Sequence, residues 1–202
     1  YQCDWSSDVC SSDLVAGTTN YGVTSTSSSA SNSVTITNPS EFEFIQGYSG
    51  SPSGVTTFTL SSIPQTYKHL YLIGELGLAG TTLLTQINGD TTNTSYYNYF
   101  GYNDVGTSFS TSWSNPAYIN SNYWYSGNQW GPFEYIIPNY TNSGTNTGKS
   151  LMIRAGSMTT TGSGRVMVGQ GTYNTNNALS SITISAGGTA MYDVRVSLYG
   201  WK

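Results

Sequence analysis

The sequence predicts an all-β chain: an antiparallel two-sheet β-sandwich of jelly-roll type with about ten strands. Three observations predict it. Short apolar runs of period two recur from residue 34 to the last residues, and clusters of Gly, Pro, Asn and Ser (GSPSG, NGDTTN, TNSGTNTG, TTTGSG, YNTNN, AGG) separate them. No stretch keeps helical spacing over three turns. Regular short strands with turn chemistry between them argue for a sandwich or barrel, in which two sheets about 10 Å apart bury the alternating apolar set.

In chain order, SVTITN places Val34 and Ile36 on one face, and EFEFI does the same with Phe42 and Phe44. VTTFTL follows, then HLYLIGELGL, in which Leu70, Leu72, Gly74, Leu76 and Leu78 share one face. Those leucines are expected in the core, with Tyr71, Ile73 and Glu75 on the other side. LLTQI (83–87), SYYNYFGY, FEYII (133–137), SLMIRAG, RVMVGQG, SSITIS and MYDVRVSLYGW complete the series. Between the runs, Ile63-Pro64 fixes a turn, because Pro64 sets φ and holds Ile63 out of the helical region. Tyr67 is expected to pack its ring while its hydroxyl finds a backbone partner. Asn88-Gly89 is a strong hairpin signal, since both residues tolerate positive φ.

The chain divides into residues 1–14, a polar stretch over 15–33, and the sandwich over 34–202. Val15 to Ser33 is rich in Thr, Ser, Gly and Asn, and reads as a flexible linker. Residues 1–14 hold both cysteines, Cys3 and Cys10, and the acids Asp4, Asp8 and Asp13. Two cysteines seven apart could close a small loop, but they make at most half a zinc site. A targeting segment would need a basic start and an apolar run. DWSSDVCSSDL, residues 4–14, instead resembles one translated frame of a common sequencing adapter. The expectation is a non-native leader before a protein that starts near Val15 and is truncated at its N-terminus.

Without that leader, the ten acids less Asp4, Asp8 and Asp13 leave seven against six bases, a net charge of −1 rather than −4. Six scattered bases give no electrostatic footprint for nucleic acid. No apolar run approaches the ~20 residues needed to cross a bilayer. Charged residues are 8 % of the chain, against ~25 % in ordinary domains. Aromatics at 14 % argue against disorder. Such polar, uncharged, Tyr-rich surfaces suit virion proteins, cell-surface adhesins and sugar-binding modules.

Candidate chemistry is sparse. A serine or cysteine triad needs a base, and the one histidine, His69, stands at a strand start with no acid near it in sequence. Glycoside hydrolysis needs two carboxylates; Glu75 and Glu134 are the acids best placed on strands, and Glu75 reads more simply as a solvent-face residue. Asn88, Asp90 and Asn93 offer oxygens that Ca²⁺ accepts, although Asp90 suits an Asx turn better. Asn93-Thr94-Ser95 and Asn139-Tyr140-Thr141 match the glycosylation sequon, a match that arises by chance in such a composition. The expectation is no enzyme, no cofactor and no metal.

One region breaks the rhythm. Between Gly101 and Pro132 stand Trp113, Tyr118, Tyr123, Trp124, Tyr125 and Trp130 among Ser and Asn, and a long excursion in a compact domain is often functional. Trp113, Tyr123, Trp124, Tyr125 and Trp130 are the candidate ligand or interface contacts. They can cap one end of the sandwich, form a subunit interface or stack on sugar rings. A mixed arrangement is expected, with Trp113 and Trp130 largely buried and Tyr123 and Tyr125 exposed.

The stretch FTLSSIPQTYKHLYLIG (Phe58 to Gly74) resembles the signature of a family of small virion structural proteins of tailed bacteriophages. The later pieces stand in the order of that pattern: Asn88-Gly89-Asp90, Tyr96, Tyr97 and Tyr99, Asn139 to Asn142 with Lys149 after them, Ser181 to Ile184, and Ser197 to Gly200. The likeness covers about 41–201, and the insert around YWYSGNQW departs from it. The resemblance implies a β-sandwich on a phage tail or capsid surface, without catalytic residues. The expected function is thus a non-enzymatic virion protein in the extracellular particle, with a contribution to host-surface attachment. Its expected partners are other virion proteins or copies of itself, a homotrimer among the options, and host-surface glycan. The alternative is a secreted carbohydrate-binding module that uses the insert around 113–130.

Overall fold

A computed structural model describes residues 22–24, 35–37, 42–50, 54–80, 82–104, 110–114, 117–120, 129–144, 148–159 and 164–202. Two compact units divide at Ser40/Glu41. In the first, β1 (Gly22–Thr24) pairs antiparallel with β2 (Thr35–Thr37), Val23 opposite Ile36. Part of the stretch read as linker is therefore a strand. β1 and β2 belong to the first unit, and the second runs from Glu41 to Lys202.

The second unit consists of β3 (Phe42–Ser49), β4 (Thr57–Leu60), β5 (His69–Leu78), β6 (Leu84–Ile87), a 3-10 turn (Asn93–Ser95), β7 (Tyr96–Asp104), β8 (Ser110–Ser114), β9 (Ile119–Asn120), β10 (Gln129–Pro138), β11 (Lys149–Thr159), β12 (Gly164–Tyr173), β13 (Ile182–Ser185) and β14 (Met191–Trp201). Every strand pair is antiparallel. One sheet has the order β3-β14-β5-β10-β11-β12-β7-β8 and the other β4-β13-β6-β9. Ten of these strands are the expected ones. The two additions, β8 and β9, come from the aromatic insert and lie at the ends of the two sheets. The first and last strands of this unit wrap in jelly-roll manner, β3 beside β14 and β4 beside β13, while β10, β11 and β12 run up and down in one sheet.

Alternation decides what is buried. Leu70, Leu72, Leu76 and Leu78 are all 0 % exposed, and Tyr71, Ile73 and Glu75 face the other way, as the period-two pattern requires. Phe133, Tyr135 and Ile137 of β10, Leu151 and Ile153 of β11, and Val194, Val196 and Leu198 of β14 join the leucines. The small sheet supplies Phe58, Leu60, Ile87, Ile182 and Ile184 to the same core. Across the layer the Tyr48 ring stacks on Phe58 with centroids 4.4 Å apart, and the Tyr135 hydroxyl shares a 2.9 Å hydrogen bond with Thr85 Oγ1. The phenol of Tyr96 accepts from the Ile87 N–H at 3.0 Å and donates to the Asp90 carbonyl at 2.8 Å. Burial pushes its pKa well up, so it stays a neutral link between the sheets.

Asn88 and Gly89 both take positive φ, 54° and 67°, and the Asp90 N–H closes the turn on the Ile87 carbonyl at 3.0 Å. The local turn is the one the dipeptide favours, but it does not make a hairpin. The chain leaves β6 in the small sheet and enters β7 in the large one, so the turn starts an arch between layers. The reason is packing: both strands have buried faces, and each finds its hydrogen-bond partners in a different sheet.

The pieces of the phage-like signature converge at the end of the sandwich where β5 begins. The Ile63 N–H donates to the Ser180 carbonyl at 3.0 Å, and the Gln65 amide reaches the Leu179 carbonyl at 2.9 Å. Buried Tyr140 donates its hydroxyl to the Pro64 carbonyl, while its own carbonyl accepts from the Leu179 N–H at 2.9 Å. The Tyr67 ring lies over Gly200, and burial together with the nearby Glu43 carboxylate raises the pKa of its phenol. A Cβ on Gly200 would stand 2.3 Å from that ring. Gly200→Ala is therefore expected to lower stability by about 1–3 kcal/mol, the usual cost of overpacking, read as a drop in the urea midpoint.

Candidate functional site: the outer face of the eight-stranded sheet

The small sheet covers one face of the large sheet. The other face is lined by residues of the opposite parity. The exposed large apolar side chains among the described residues are Phe42, Phe44, Ile73, Tyr97, Tyr99, Trp130, Met152, Met158, Val166, Val168 and Trp201, each 36 to 64 % accessible. All stand on this outer face. The register shows how they line up. One row crosses all eight strands: Phe44, Tyr199, Tyr71, Ile136, Met152, Gln170, Tyr99 and Trp113. A second row places Ile73, Glu134, Arg154 and Val168 side by side.

At the β3 corner the rings pack on one another. Phe42 stacks on Trp201 at 5.3 Å and meets Tyr71 edge-on at 6.0 Å, and Phe44 meets Tyr199 edge-on at 5.8 Å. These contacts are worth about 0.5–1.5 kcal/mol each beyond area, yet they leave the outward ring faces in water. At the opposite end, Gly156 lacks a side chain between Pro132 and Val166. A shallow trough of ≈ 400 Å³ runs there, lined by Trp130, Pro132, Met158 and Val166. It continues into a second depression of ≈ 330 Å³ that reaches Ile73 and Val168.

The charges on this face pair with one another. Arg154 Nη1 donates to Glu134 Oε1 at 2.9 Å, and the Tyr71 hydroxyl donates to Glu134 Oε2 at 2.8 Å. Arg195 Nη1 donates to Glu75 Oε1 at 2.8 Å. Burial and the bond to Glu134 raise the Tyr71 pKa, which keeps this phenol a donor. Glu75 and Glu134 thus sit on one face as diagonal neighbours across β5 and β10, each held by its own arginine.

Of the sequence candidates, Trp130 is 43 % exposed, which corrects the expectation of burial. It falls on the outward parity of β10, opposite Gly77, and its ring lies beside Tyr192 at 6.5 Å over that bare position. Trp113 lies in β8, in register with Tyr99, and its side chain is outside the described residues. Tyr123, Trp124 and Tyr125 are also outside them, as are residues 1–14. His69 packs edge-on against Trp201 at 5.2 Å and accepts the Asn139 N–H at Nδ1, 3.2 Å. Asp90 Oδ1 accepts the Thr92 N–H at 2.8 Å in an Asx turn. Burial works to raise its pKa, and hydrogen bonds from Thr92, Ser95 and Tyr173 outweigh it and lower the value. Asn88 Oδ1 accepts from Ser180 and Ser181, and its amide donates to the Ala178 carbonyl at 2.8 Å. The oxygens proposed for Ca²⁺ at Asn88 and Asp90 therefore serve turns and layer contacts.

Sequence reasoning missed Met152, Val166, Val168 and Trp201. A signal was present: SLMIR and RVMV are apolar at both parities, which marks a strand with two apolar faces. No family model matches the chain, and no curated protein matches it.

Proposed function

We propose that this protein is a non-enzymatic structural component of a tailed-phage particle, a tail or capsid-surface subunit held in its assembly through the outer face of the large sheet. One observation carries the proposal: a wide apolar face with internally balanced charge. Eleven side chains at roughly half exposure offer about 1,000 Å², taking 150–250 Å² for each fully exposed aromatic. That total is spread over the face and interrupted by the Glu134–Arg154 and Glu75–Arg195 pairs. Such a face suits a subunit that meets water on one side and neighbours on the other. The phage-like signature supports the particle as the setting, and its residues act as fasteners, in keeping with a structural role. Gene neighbourhood tests the proposal. Adjacent tail or capsid genes on the parent contig are expected; a locus of polysaccharide-degrading enzymes would overturn it.

A second reading, a secreted carbohydrate-binding module that contacts host glycan, draws on exposed Trp130 beside the trough. Sugar recognition needs several polar groups that fix orientation, and the trough is lined mainly by Trp130, Pro132, Met158 and Val166, with Ser157 and Arg165 its polar members. Glycan-array binding abolished by Trp130→Ala would favour this reading; the particle proposal expects none.

A further inference from the structure

We infer that a second copy of this chain docks on the outer face of the eight-stranded sheet, face to face about a two-fold axis. The inference rests on reading that face as a subunit contact, and it names the partner. A stable pair needs about 800 Å² from each partner, and the face supplies about 1,000 Å² of apolar side chain by the area of its rings and aliphatic groups.

A partner with a strongly charged surface would find no counterpart, because Glu134 with Arg154 and Glu75 with Arg195 are neutralised in pairs within the face. An identical face meets no net repulsion. These paired charges can also exchange partners across a two-fold axis, where each contact occurs twice.

The exposed large apolar side chains of the described residues all lie on this one face. The outward positions of the small sheet hold Thr57, Thr59 and Thr183, with the Thr59 and Thr183 hydroxyls bonded to each other at 2.9 Å. A second copy therefore has the same face to offer and no comparable apolar one among the described residues. A contact between like faces is isologous and closes at two. Sheets stacked in this way lie about 10 Å apart with side chains interdigitated, and the trough beside Trp130, Met158 and Val166 gives the opposing rows relief to enter.

The test is the mass of the full chain in solution, by light scattering and by sedimentation over a micromolar dilution series. The expected particle has twice the 21.7 kDa chain mass and dissociates on dilution. Met152→Glu with Val168→Glu should halve that mass. Both residues are exposed in the single chain, so circular dichroism and the melting transition should still report a folded sandwich. Thr59→Glu, on the other sheet, should leave the dimer intact. If the double variant fails to fold, Val166→Lys with Met158→Lys takes its place with the same expectation. A monomeric wild-type protein across the series would overturn the inference, as would an oligomer whose mass both charge variants leave unchanged. Either result leaves the particle proposal standing with a different partner, because gene neighbourhood tests that separately.

Discussion

Leu72→Ala is expected to lower the stability of the sandwich unit by about 2–5 kcal/mol, the range for truncating a buried leucine. Leu72 stands in the middle of β5, opposite Tyr135 on one side and Leu198 on the other. It is fully buried. Both neighbours belong to central strands of the large sheet, so the backbone has little freedom to collapse into the space left behind. The cost should fall toward the upper part of that range, where sites relax least. Ile73→Ala, one residue on and facing outward, provides the comparison. In the dissociated chain it should change stability by far less. Urea titrations of both variants at the same low protein concentration measure the difference. Equal losses would show that the assignment of faces on β5 is wrong.

Asn88→Ala is expected to have the second large effect, about 2–4 kcal/mol. Two terms contribute. Asn88 joins the end of β6 to the segment before β13 through exposed and part-buried bonds to Ala178, Ser180 and Ser181, and losing them together costs about 1–2 kcal/mol. Its φ of 54° adds about 1–2 kcal/mol for a residue with a Cβ and no compensating side-chain bond. Asn88→Gly separates the terms. Glycine adopts this φ freely, so that variant should lose the hydrogen-bond part alone and lie between wild type and alanine. Thermal melts of the two variants give the order directly. An alanine variant as stable as the glycine variant would remove the backbone term.

Most strands were legible because they carry an alternation of apolar and polar residues. HLYLIGELGL has one apolar parity interrupted by one glycine, and Gly74 is needed there because a Cβ would stand 2.7 Å from the Arg195 carbonyl oxygen. Three things were not legible, each for a physical reason. Periodicity tells which residues share a face, but not which face meets the second sheet when both are apolar. Phe42 and Phe44 share a face as expected, yet that face is the outer one. After them the register of β3 against β14 slips at Leu198/Tyr199, and Tyr48 turns to the core. Trp130 was misplaced because Gly131-Pro132 hides the parity of β10. A turn signal, lastly, sets the local backbone but not its destination. Asn88-Gly89 makes the same turn whether the chain returns beside β6 or crosses to the other sheet.

The glycines show the same limits at closer range. Gly131 has its Cα so near β11 that a Cβ would stand 1.7 Å from the Gly156 carbonyl oxygen. Gly131→Ala would force the two strands apart, beneath the trough that Gly156 opens on the outer face. That close approach arises from tertiary pairing and has no counterpart in the local sequence, where Trp-Gly-Pro reads as the end of a loop.

Whether a second copy covers the outer face of the large sheet is read from the oxidation of methionine. The chain has four methionines. Met152 and Met158 are exposed on the outer face, while Met167 and Met191 lie in the core. Thioethers oxidise to sulfoxides according to access, so the core pair serves as the internal reference. Mild peroxide treatment at high protein concentration, followed by peptide mass spectrometry, should show Met152 nearly as protected as Met167 and Met191. Dilution into the monomeric range should release it. Rapid oxidation of Met152 at every concentration, far ahead of the core pair, would contradict the dimer.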